Sequence, residues 1–341
     1  MEIAVIGAGA IGSVIGGLLS KAGEDVTLIG RKPHVDAINQ NGLILDGESG
    51  RIVIQVKAAE NLDFKPDLVL LTVKAQDVVS SVRKAQVFLS DTQVVTMQNG
   101  VRSDDQAAGL LGKGNIISSV VTFNGQFLEP GKALYSIPFS KTAVLIGEPF
   151  GNKGNRLQAL SALLNKAIGT DISEDIRAAH WTKLIWNLQT AVPAVTGLSY
   201  QDSYQYPKVR ELTIDLLKEG LKVVKAAGIK TMDVPGLPME PIETMARESL
   251  PIASTLLKKI AESMGKVPFL GSTLQSIKRG KSTEVDYLNG EIVKLGEKEC
   301  TKTPVNSLIV ELVHQVEATR KFLTVRELTQ RLSSNVNKAL G

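Results

Sequence analysis

The sequence predicts an α/β fold in two domains, a doubly wound parallel sheet followed by a mainly helical domain. With 341 residues, the chain is longer than one typical domain. Its first half alternates short apolar runs with helical periods, which is typical of a parallel sheet covered by helices. From about residue 157, long helical periods replace the strand pattern. We therefore expect an α/β domain over residues 1–170 and a helical domain over residues 171–341.

The individual elements follow from the spacing of apolar residues. Apolar runs at residues 3–6 and 26–29 flank a helical period, so the chain opens as strand, helix, strand. The stretch that follows, to about residue 62, is rich in glycine and alternating residues and predicts a meander of short strands. Further strands are predicted at 67–73, 93–97, 116–123 and 141–146, with a helix at 76–88. Long helices of the second domain are predicted at 207–227, 241–264, 282–297 and 304–322.

Composition and charge exclude several classes of function. Hydrophobic residues make up 43% of the chain, and no apolar run approaches the ~20 residues that span a bilayer. The net charge of +4 is spread along the chain without the basic stripe of a nucleic-acid binder. We expect a small anionic ligand, not a membrane or a nucleic acid. The opening MEIAVIGAGAIG lacks the basic start of a signal peptide, so we expect a cytoplasmic protein.

Disulfide and metal chemistry are not predicted. Cys300 is the single cysteine, so no intrachain disulfide and no thiol-rich metal site can form, and we expect its side chain to be partly buried. The three histidines, His34, His180 and His314, lack metal-ligand spacing, and the sequence defines no Ser-His-Asp arrangement.

The most specific motif is Gly7-Ala8-Gly9-Ala10-Ile11-Gly12, which matches G-x-G-x-x-G and follows an apolar run where a helical period begins. This is the place of a dinucleotide-binding (Rossmann) turn. Gly7 would allow the tight turn, Gly9 the approach of backbone to a pyrophosphate, and Gly12 the close packing of helix on strand. The helix N-terminus would offer N–H groups to the phosphates. Dinucleotide binding is the prediction, and a glycine turn that serves packing alone is the alternative.

The choice of dinucleotide depends on the residues after the second strand. NAD-binding proteins usually carry an acid there to bind the ribose 2′-hydroxyl, but this chain has Arg31 and Lys32. A guanidinium can pair with a 2′-phosphate through a planar fork of donors, so NADPH is the predicted cofactor. In the alternative interpretation, both residues are merely solvated.

Two further polar residues stand at predicted strand ends. Lys74 follows the strand at 67–73, and Asn99 follows the strand at 93–97. Ligands of open α/β sheets gather at the carboxyl ends of strands, so both side chains are predicted at the cofactor, although either could be an ordinary turn residue.

Motifs spread over both domains resemble those of the ketopantoate reductase family. In chain order they are the glycine turn, Arg31, Thr72-Val73-Lys74, Gln98-Asn99-Gly100, Trp181-Thr182-Lys183-Leu184-Ile185-Trp186-Asn187, Ser272, Thr283-Glu284-Val285-Asp286 and Lys302-Thr303-Pro304-Val305-Asn306. The resemblance runs from end to end and implies a 6-phosphogluconate-dehydrogenase-like fold. It also implies an oxidoreductase that uses NADPH to reduce 2-dehydropantoate (ketopantoate) to pantoate in pantothenate and coenzyme A biosynthesis. We also keep the hypothesis that the protein forms a homodimer.

The resemblance also assigns roles to single residues. Lys183 would be the general acid and Glu284 its catalytic companion that holds a substrate hydroxyl, while Asn187 and Ser272 would bind the substrate. Asn99 and Glu284 would each lie at both the substrate and the cofactor. Independently, hydride attack on a ketone leaves negative charge on oxygen, which needs a cation and a proton. A lone lysine or glutamate would more simply be a solvated helix residue, so the assignment depends on the combined pattern.

Two positions depart from the family pattern. Ala191 stands where a second asparagine is usual, and Ser276 stands where an aspartate is usual. The hydride step could survive both changes while the preferred substrate differs. We therefore keep two alternatives open, a reductase of a related 2-oxo acid and an NADPH-binding sensor protein without turnover.

Overall fold

The computed structural model describes residues 1–47, 50–136, 142–151, 154–265 and 268–340. It divides into two compact units, Met1–His180 and Trp181–Gly341. This division falls ten residues beyond the expected boundary at 170 (180 − 170), inside a helix. The boundary between residues 170 and 171 stays a prediction.

The first unit is built on an eight-stranded sheet and a four-stranded sheet. Its strands are β1 (Glu2–Ile6), β2 (Asp25–Ile29), β3 (Leu43–Gly47), β4 (Gly50–Ile54), β5 (Lys57–Ala59), β6 (Leu68–Leu71), β7 (Gln93–Thr96), β8 (Ile116–Val121), β9 (Gly125–Glu129), β10 (Lys132–Tyr135), β11 (Val144–Gly147) and β12 (Thr170–Ile172). Its helices are α1 (Ala10–Lys21), α2 (Lys32–Asn41), α3 (Val78–Ala85), α4 (Ser103–Leu111), α5 (Arg156–Leu164) and the start of α6 (Ile176–Asn187).

The order of the larger sheet is β12-β11-β8-β7-β6-β1-β2-β5. The predicted Rossmann sheet is confirmed, with one difference: β11 runs antiparallel to β8, a common arrangement near the edge of an otherwise parallel sheet. In the parallel part, Ile6 lies opposite both Ile29 and Leu71, and Leu71 lies opposite Thr96. The segments that follow β1, β2, β6 and β7 therefore leave the sheet at the same edge.

The predicted meander to residue 62 is only partly right. The stretch begins with helix α2, which the sequence pattern did not predict, because only His34, Val35 and Ile38 of this short helix are buried and its apolar period is weak. Of the strands that follow, β5 joins the larger sheet, while β3 and β4 form the smaller sheet with β9 and β10. The strand predicted at 141–146 begins at Val144, and residue 141 lies outside the described residues.

The second unit is helical, as predicted. It contains the end of α6 and the helices α7 (Ala191–Thr196), α8 (Tyr200–Ser203), α9 (Pro207–Ala226), α10 (Glu240–Arg247), α11 (Leu250–Ser263), α12 (Ser272–Lys278), α13 (Asn289–Lys298), α14 (Pro304–Thr319) and α15 (Val325–Leu340).

Two helix predictions in this unit are wrong in detail. The period at 241–264 is split into α10 and α11, since Pro251 in the first turn of α11 lacks the N–H that a continuous helix would use. The period at 282–297 becomes helical only at Asn289, after a 3₁₀ turn over Val285–Tyr287.

Two further observations bear on the expectations from composition. Within the described ranges, no helix is long and apolar enough to cross a membrane. Cys300 is exposed and has a φ of +49°, so the expectation of a partly buried thiol is wrong.

Candidate active site

The glycine turn connects β1 to α1 and is shaped by close contacts. Gly7 has a φ of +109°, and a Cβ on it would lie 2.5 Å from the backbone nitrogen of Val73. A Cβ on Gly12 would lie 2.5 Å from both the Gly7 carbonyl oxygen and Thr72 Oγ1. At Gly9 the nearest atom would be 3.8 Å away. Packing therefore requires Gly7 and Gly12, whereas Gly9 borders open space.

The turn fits the pyrophosphate of a dinucleotide. Gly9 is the N-cap of α1, no side chain caps the helix, and its first turn carries no acid. The first N–H groups of a helix have no intrahelical acceptor and carry a partial positive charge, which favours a bound anion. Thr72 Oγ1 donates to the Gly7 carbonyl at 2.8 Å, so the end of β6 holds the turn in this shape.

Arg31 follows β2 at the same edge of the sheet. Its side chain is exposed, and no carboxylate among the described residues pairs with it. Lys32 instead lies 3.2 Å from Asp36, one turn further along α2. Arg31 is thus the residue whose charge remains available to a phosphate, while part of the Lys32 charge is balanced within the helix.

His34 holds α2 in place. It is buried, and its Nδ1 accepts a hydrogen bond from the backbone N–H of Gly131 at 2.8 Å. Because Nδ1 is the acceptor, the neutral ring carries its proton on Nε2, which lies 3.0 Å from Ser13 Oγ. Burial lowers the pKa of His34 to about 4. One neutral ring therefore joins α2 to α1 and to the segment before β10, a role that a lone histidine in the sequence did not reveal.

Gln98 ties together the strand ends that carry Lys74 and Asn99. Its buried side-chain amide donates to the carbonyl oxygens of Leu71 at 2.6 Å and of Val73 at 3.1 Å. The end of β7 is thereby fixed against the end of β6. In the sequence Gln98 stands out only as part of a motif, and the motif alone gives it no role.

A buried polar cluster lies behind these strand ends, within the first unit. Asp104, in the first turn of α4, accepts hydrogen bonds from Thr96 Oγ1 at 2.5 Å and Ser118 Oγ at 2.7 Å. Because the Ser118 proton points to Asp104, the Nε2 of His180, 2.7 Å away, must be the donor to Ser118 Oγ. The structure thus joins Ser, His and Asp, but with serine in the middle and its proton already committed. This arrangement does not activate a nucleophile.

Lys183 and Glu284 are brought together in the second unit. Lys183 lies on α6, and Glu284 immediately precedes the 3₁₀ turn before α13. Burial lowers the pKa of Lys183 from 10.5 to about 8, and the charge of the nearby Glu284 opposes this by raising it. A lysine with this pKa is mostly protonated at neutral pH, so it can stabilise an oxyanion, and it can also donate its proton there.

The remaining predicted substrate residues lie around the end of α6. Asn187 is the last residue of α6, one turn beyond Lys183, so the two share a helix face. Ser272 begins α12, and its neighbour Thr273 lies 2.9 Å from Thr190 through their hydroxyl oxygens. This buried contact connects α12 to the turn that follows α6. The roles of Asn187, Ser272 and the other site residues stay predictions.

The two departures from the family pattern are both buried. Ala191 is 0% exposed at the start of α7. Ser276 is 5% exposed, and its hydroxyl donates to the Ser272 carbonyl at 3.0 Å, so it is engaged within α12. Among the described residues, no group of three or more His, Cys, Asp or Glu side chains could hold a metal ion.

Comparison with known proteins identifies the family. The family model described as "Ketopantoate reductase PanE/ApbA" matches residues 3–148, and the model of its C-terminal domain matches residues 175–317. The chain is 33% identical over 323 residues to a 2-dehydropantoate 2-reductase of Pyrococcus abyssi, covering 93% of this chain and 98% of that protein. It is 30% identical over 325 residues to the Pyrococcus horikoshii enzyme of the same name, with the same coverage.

Solved structures have the same fold. A PanE/ApbA family ketopantoate reductase from Ralstonia eutropha superposes with a TM-score of 0.78 at 30% identity, covering 93% of this chain and 99% of that one. D-mandelate dehydrogenase, in complex with NADH and anilino(oxo)acetate, reaches a TM-score of 0.79 at 21% identity, covering 94% and 99% of the two chains. With family models matching both halves, the chain belongs to the ketopantoate reductase family of NAD(P)-dependent oxidoreductases.

Proposed function

We propose that this protein reduces ketopantoate to pantoate with NADPH as the hydride donor. The observation that carries the proposal is Lys183, whose pKa burial lowers to about 8 beside the carboxylate of Glu284. An ordinary surface lysine would keep a pKa of 10.5 and would be a poor proton donor at neutral pH. A partly buried amine next to an acid suits a reaction that turns a ketone oxygen into a hydroxyl.

Different residues of the chain have different roles in the proposed reaction. A nicotinamide cofactor, when bound, would supply the hydride that the carbonyl carbon of the substrate accepts. The Lys183 ammonium donates a hydrogen bond to the ketone oxygen, stabilises the negative charge that grows there and gives up its proton to form the alcohol. Glu284 accepts a hydrogen bond from the substrate hydroxyl, and Asn187 and Ser272 orient the substrate from α6 and α12.

The preference for NADPH is proposed from Arg31 and the absence of an acid at this position of the sequence. The guanidinium would pair with the 2′-phosphate, and the N-terminus of α1 would hold the pyrophosphate. Lys74 and Asn99, at the ends of β6 and β7, would face the rest of the cofactor. A cytosolic location belongs to the same proposal, since the exposed Cys300 thiol suits a reducing compartment.

A second candidate, the reduction of a related 2-oxo acid, is favoured by Ala191 and Ser276. The first offers no side-chain donor, and the second uses its hydroxyl within α12. D-mandelate dehydrogenase has the same fold and is bound to NADH and anilino(oxo)acetate in its structure. The fold alone therefore does not select ketopantoate.

One experiment separates these candidates from a sensor without turnover. The absorbance of NADPH and of NADH is followed with a panel of 2-oxo acids that includes ketopantoate, and kcat/KM is compared across the panel. We expect ketopantoate with NADPH to give the highest value. A different preferred acid would support the second candidate, and tight NADPH binding without oxidation by any acid would support a sensor.

The proposal includes a homodimer, because dimers with twofold symmetry are the commonest soluble oligomers. A ketopantoate reductase of Staphylococcus aureus is described as dimeric. Light scattering on the purified protein measures the mass in solution, and a monomer mass near 36.6 kDa at working concentration would contradict this part of the proposal.

A further inference from the structure

Asn289, in the second unit, connects the two chain segments that carry the candidate catalytic residues. Its side chain is 0% exposed, and its Nδ2 donates to the carbonyl oxygen of Leu188 at 3.1 Å. Leu188 directly follows Asn187, the last residue of α6, and Asn289 lies five residues after Glu284. One amide group thus joins the end of the Lys183 helix to the start of α13.

Leu188 begins the 3₁₀ turn Leu188–Thr190, which joins α6 to α7. The amide of Asn289 adds a donor to the Leu188 carbonyl from another helix. This bond fixes the end of α6 along its axis and relative to the Glu284 segment, which packing by apolar side chains alone would specify less sharply.

Asn289 is itself held by a second buried asparagine. Its Nδ2 also donates to Asn306 Oδ1 at 3.0 Å, and Asn306 is 0% exposed. Asn306 Nδ2 donates in turn to Glu219 Oε2 at 2.9 Å and to the Leu216 carbonyl at 3.2 Å, both on α9. Asn306 ends the motif at residues 302–306, which the proposed reaction does not otherwise use.

Glu219 anchors this chain of hydrogen bonds. Its carboxylate oxygens accept from the backbone N–H groups of Val305 at 2.9 Å and Asn306 at 2.8 Å, so it caps the N-terminus of α14 from α9. Burial raises the pKa of Glu219, while the N–H donors at the helix end oppose that effect. The helices α9, α14, α13 and α6 are therefore linked in series through Glu219, Asn306 and Asn289.

We propose that Asn289 is a positioning residue that sets the geometry of Lys183 and Glu284. The inference rests on the proposed function only for its effect on turnover. Loss of the Asn289 amide would free the end of α6 and change the surroundings of Lys183. Because misplacement by about 1 Å can cost on the order of a hundredfold in rate, a small shift of α6 has a large effect on chemistry.

The test compares Asn289→Ala with Asn165→Ala. Asn165 is the control for the loss of a side-chain amide that donates to a carbonyl, that of Thr170, at 2.7 Å, and it lies at an exposed position of the first unit. Each variant is assayed at the same interval below its own Tm, so that general destabilisation is equal. Should the alanine variant not fold, Asn289→Ser, which keeps one hydroxyl donor, takes its place.

Two readouts are measured. The first is kcat with the best acid of the panel, together with the Kd for NADPH. The second needs no cofactor: the rate at which acetic anhydride labels Lys183 is followed against pH by peptide mass spectrometry, which gives the pKa of its amine. For Asn289→Ala we expect at least about a tenfold fall in kcat, a Kd within about twofold of wild type, and a Lys183 pKa that moves from about 8 towards 10.5 as solvent reaches the amine.

Asn165→Ala should leave kcat and the labelling profile unchanged. If Asn289→Ala matches this control in both, its amide only stabilises the core and the proposal is overturned. If no 2-oxo acid is reduced by the wild-type protein, the proposed function fails, and the labelling profile of Lys183 still decides whether Asn289 positions it.

Discussion

The pH dependence of turnover tests the role of Lys183 most directly. A general acid must be protonated, so kcat/KM for ketone reduction should fall as the pH rises through the pKa of Lys183, which burial lowers to about 8. For a pKa of about 8, roughly 90% of the enzyme carries the proton at pH 7 and roughly 10% at pH 9. We therefore expect about a tenfold loss of kcat/KM over this interval.

A lysine with an ordinary pKa would give a different pH profile. At the ordinary lysine pKa of 10.5, more than about nine in ten molecules would still be protonated at pH 9, and kcat/KM would hardly change. The assay follows NADPH oxidation in a constant-ionic-strength buffer series from pH 6 to 10, with the stability of the enzyme checked by return to pH 7. A profile that is flat to pH 10 would refute the reasoning.

Two variants test which residues cause the fall of kcat/KM at high pH, which we call the alkaline limb. Lys183→Arg should lose at least about a hundredfold in kcat, since guanidinium keeps the charge but does not release a proton in this range. Glu284→Gln removes the negative charge that raises the pKa of Lys183, so its limb should move to lower pH. A limb that moves to higher pH in Glu284→Gln would contradict the electrostatic account.

Four further predictions concern cofactor choice and stability. Arg31→Ala should weaken NADPH binding about tenfold to a hundredfold and leave NADH binding nearly unchanged in fluorescence titrations, since one charge-assisted contact to the 2′-phosphate is lost. Lys183→Met should raise the Tm at pH 7 while abolishing turnover, because the folded protein no longer buries a charged amine, and this gain should shrink from pH 8 to 10.5, where the wild-type amine loses its proton. The pKa of His34 is lowered from 6.5 to about 4 in the fold, so the stability that its neutral form contributes is complete above about pH 6.5 and is lost as the pH falls towards 4. His34→Gln should therefore make the free energy of unfolding, measured by urea titration, depend less on pH between about 6.5 and 4. Ala191→Asn should lower the Tm without raising kcat/KM for ketopantoate, because an amide at a fully buried position adds volume and unpaired polar groups.

The parts of the site that depend on backbone were predictable from the sequence. Gly7 and Gly12 are glycines because a Cβ would meet backbone or Thr72 within 2.5 Å, and such requirements leave a fixed spacing in the sequence. The ends of β1, β2, β6 and β7 were predictable for the same reason, since unbroken apolar runs define buried parallel strands. The placement of Arg31, Lys74 and Asn99 at one edge of the sheet follows from those strands.

The parts that depend on tertiary contacts were not predictable. The 3₁₀ turn after Glu284 replaces the start of a predicted helix, and the flanking residues are held by α14: Glu317 accepts the Thr283 N–H, and His314 Nε2 lies 3.0 Å from Asp286 Oδ1. A helical period cannot reveal such partners, because Glu317 lies 34 residues after Thr283 and His314 lies 28 residues after Asp286. The same limit applies to Asn289 and its bond to Leu188.

Burial lowers the pKa of both His34 and Lys183, but only at Lys183 does a nearby carboxylate oppose the effect. His34 has a backbone donor on one ring nitrogen and a hydroxyl on the other, so its neutral form is fully satisfied and its pKa falls far below neutrality. Lys183 is opposed by the charge of Glu284, which holds its pKa near 8 instead of letting desolvation lower it further. Desolvation balanced by one carboxylate leaves an amine whose pKa suits the proposed role of a proton donor near neutral pH. This balance depends on the separation of Lys183 from Glu284, and in our proposal the bond from the Asn289 amide to Leu188 helps to set that separation.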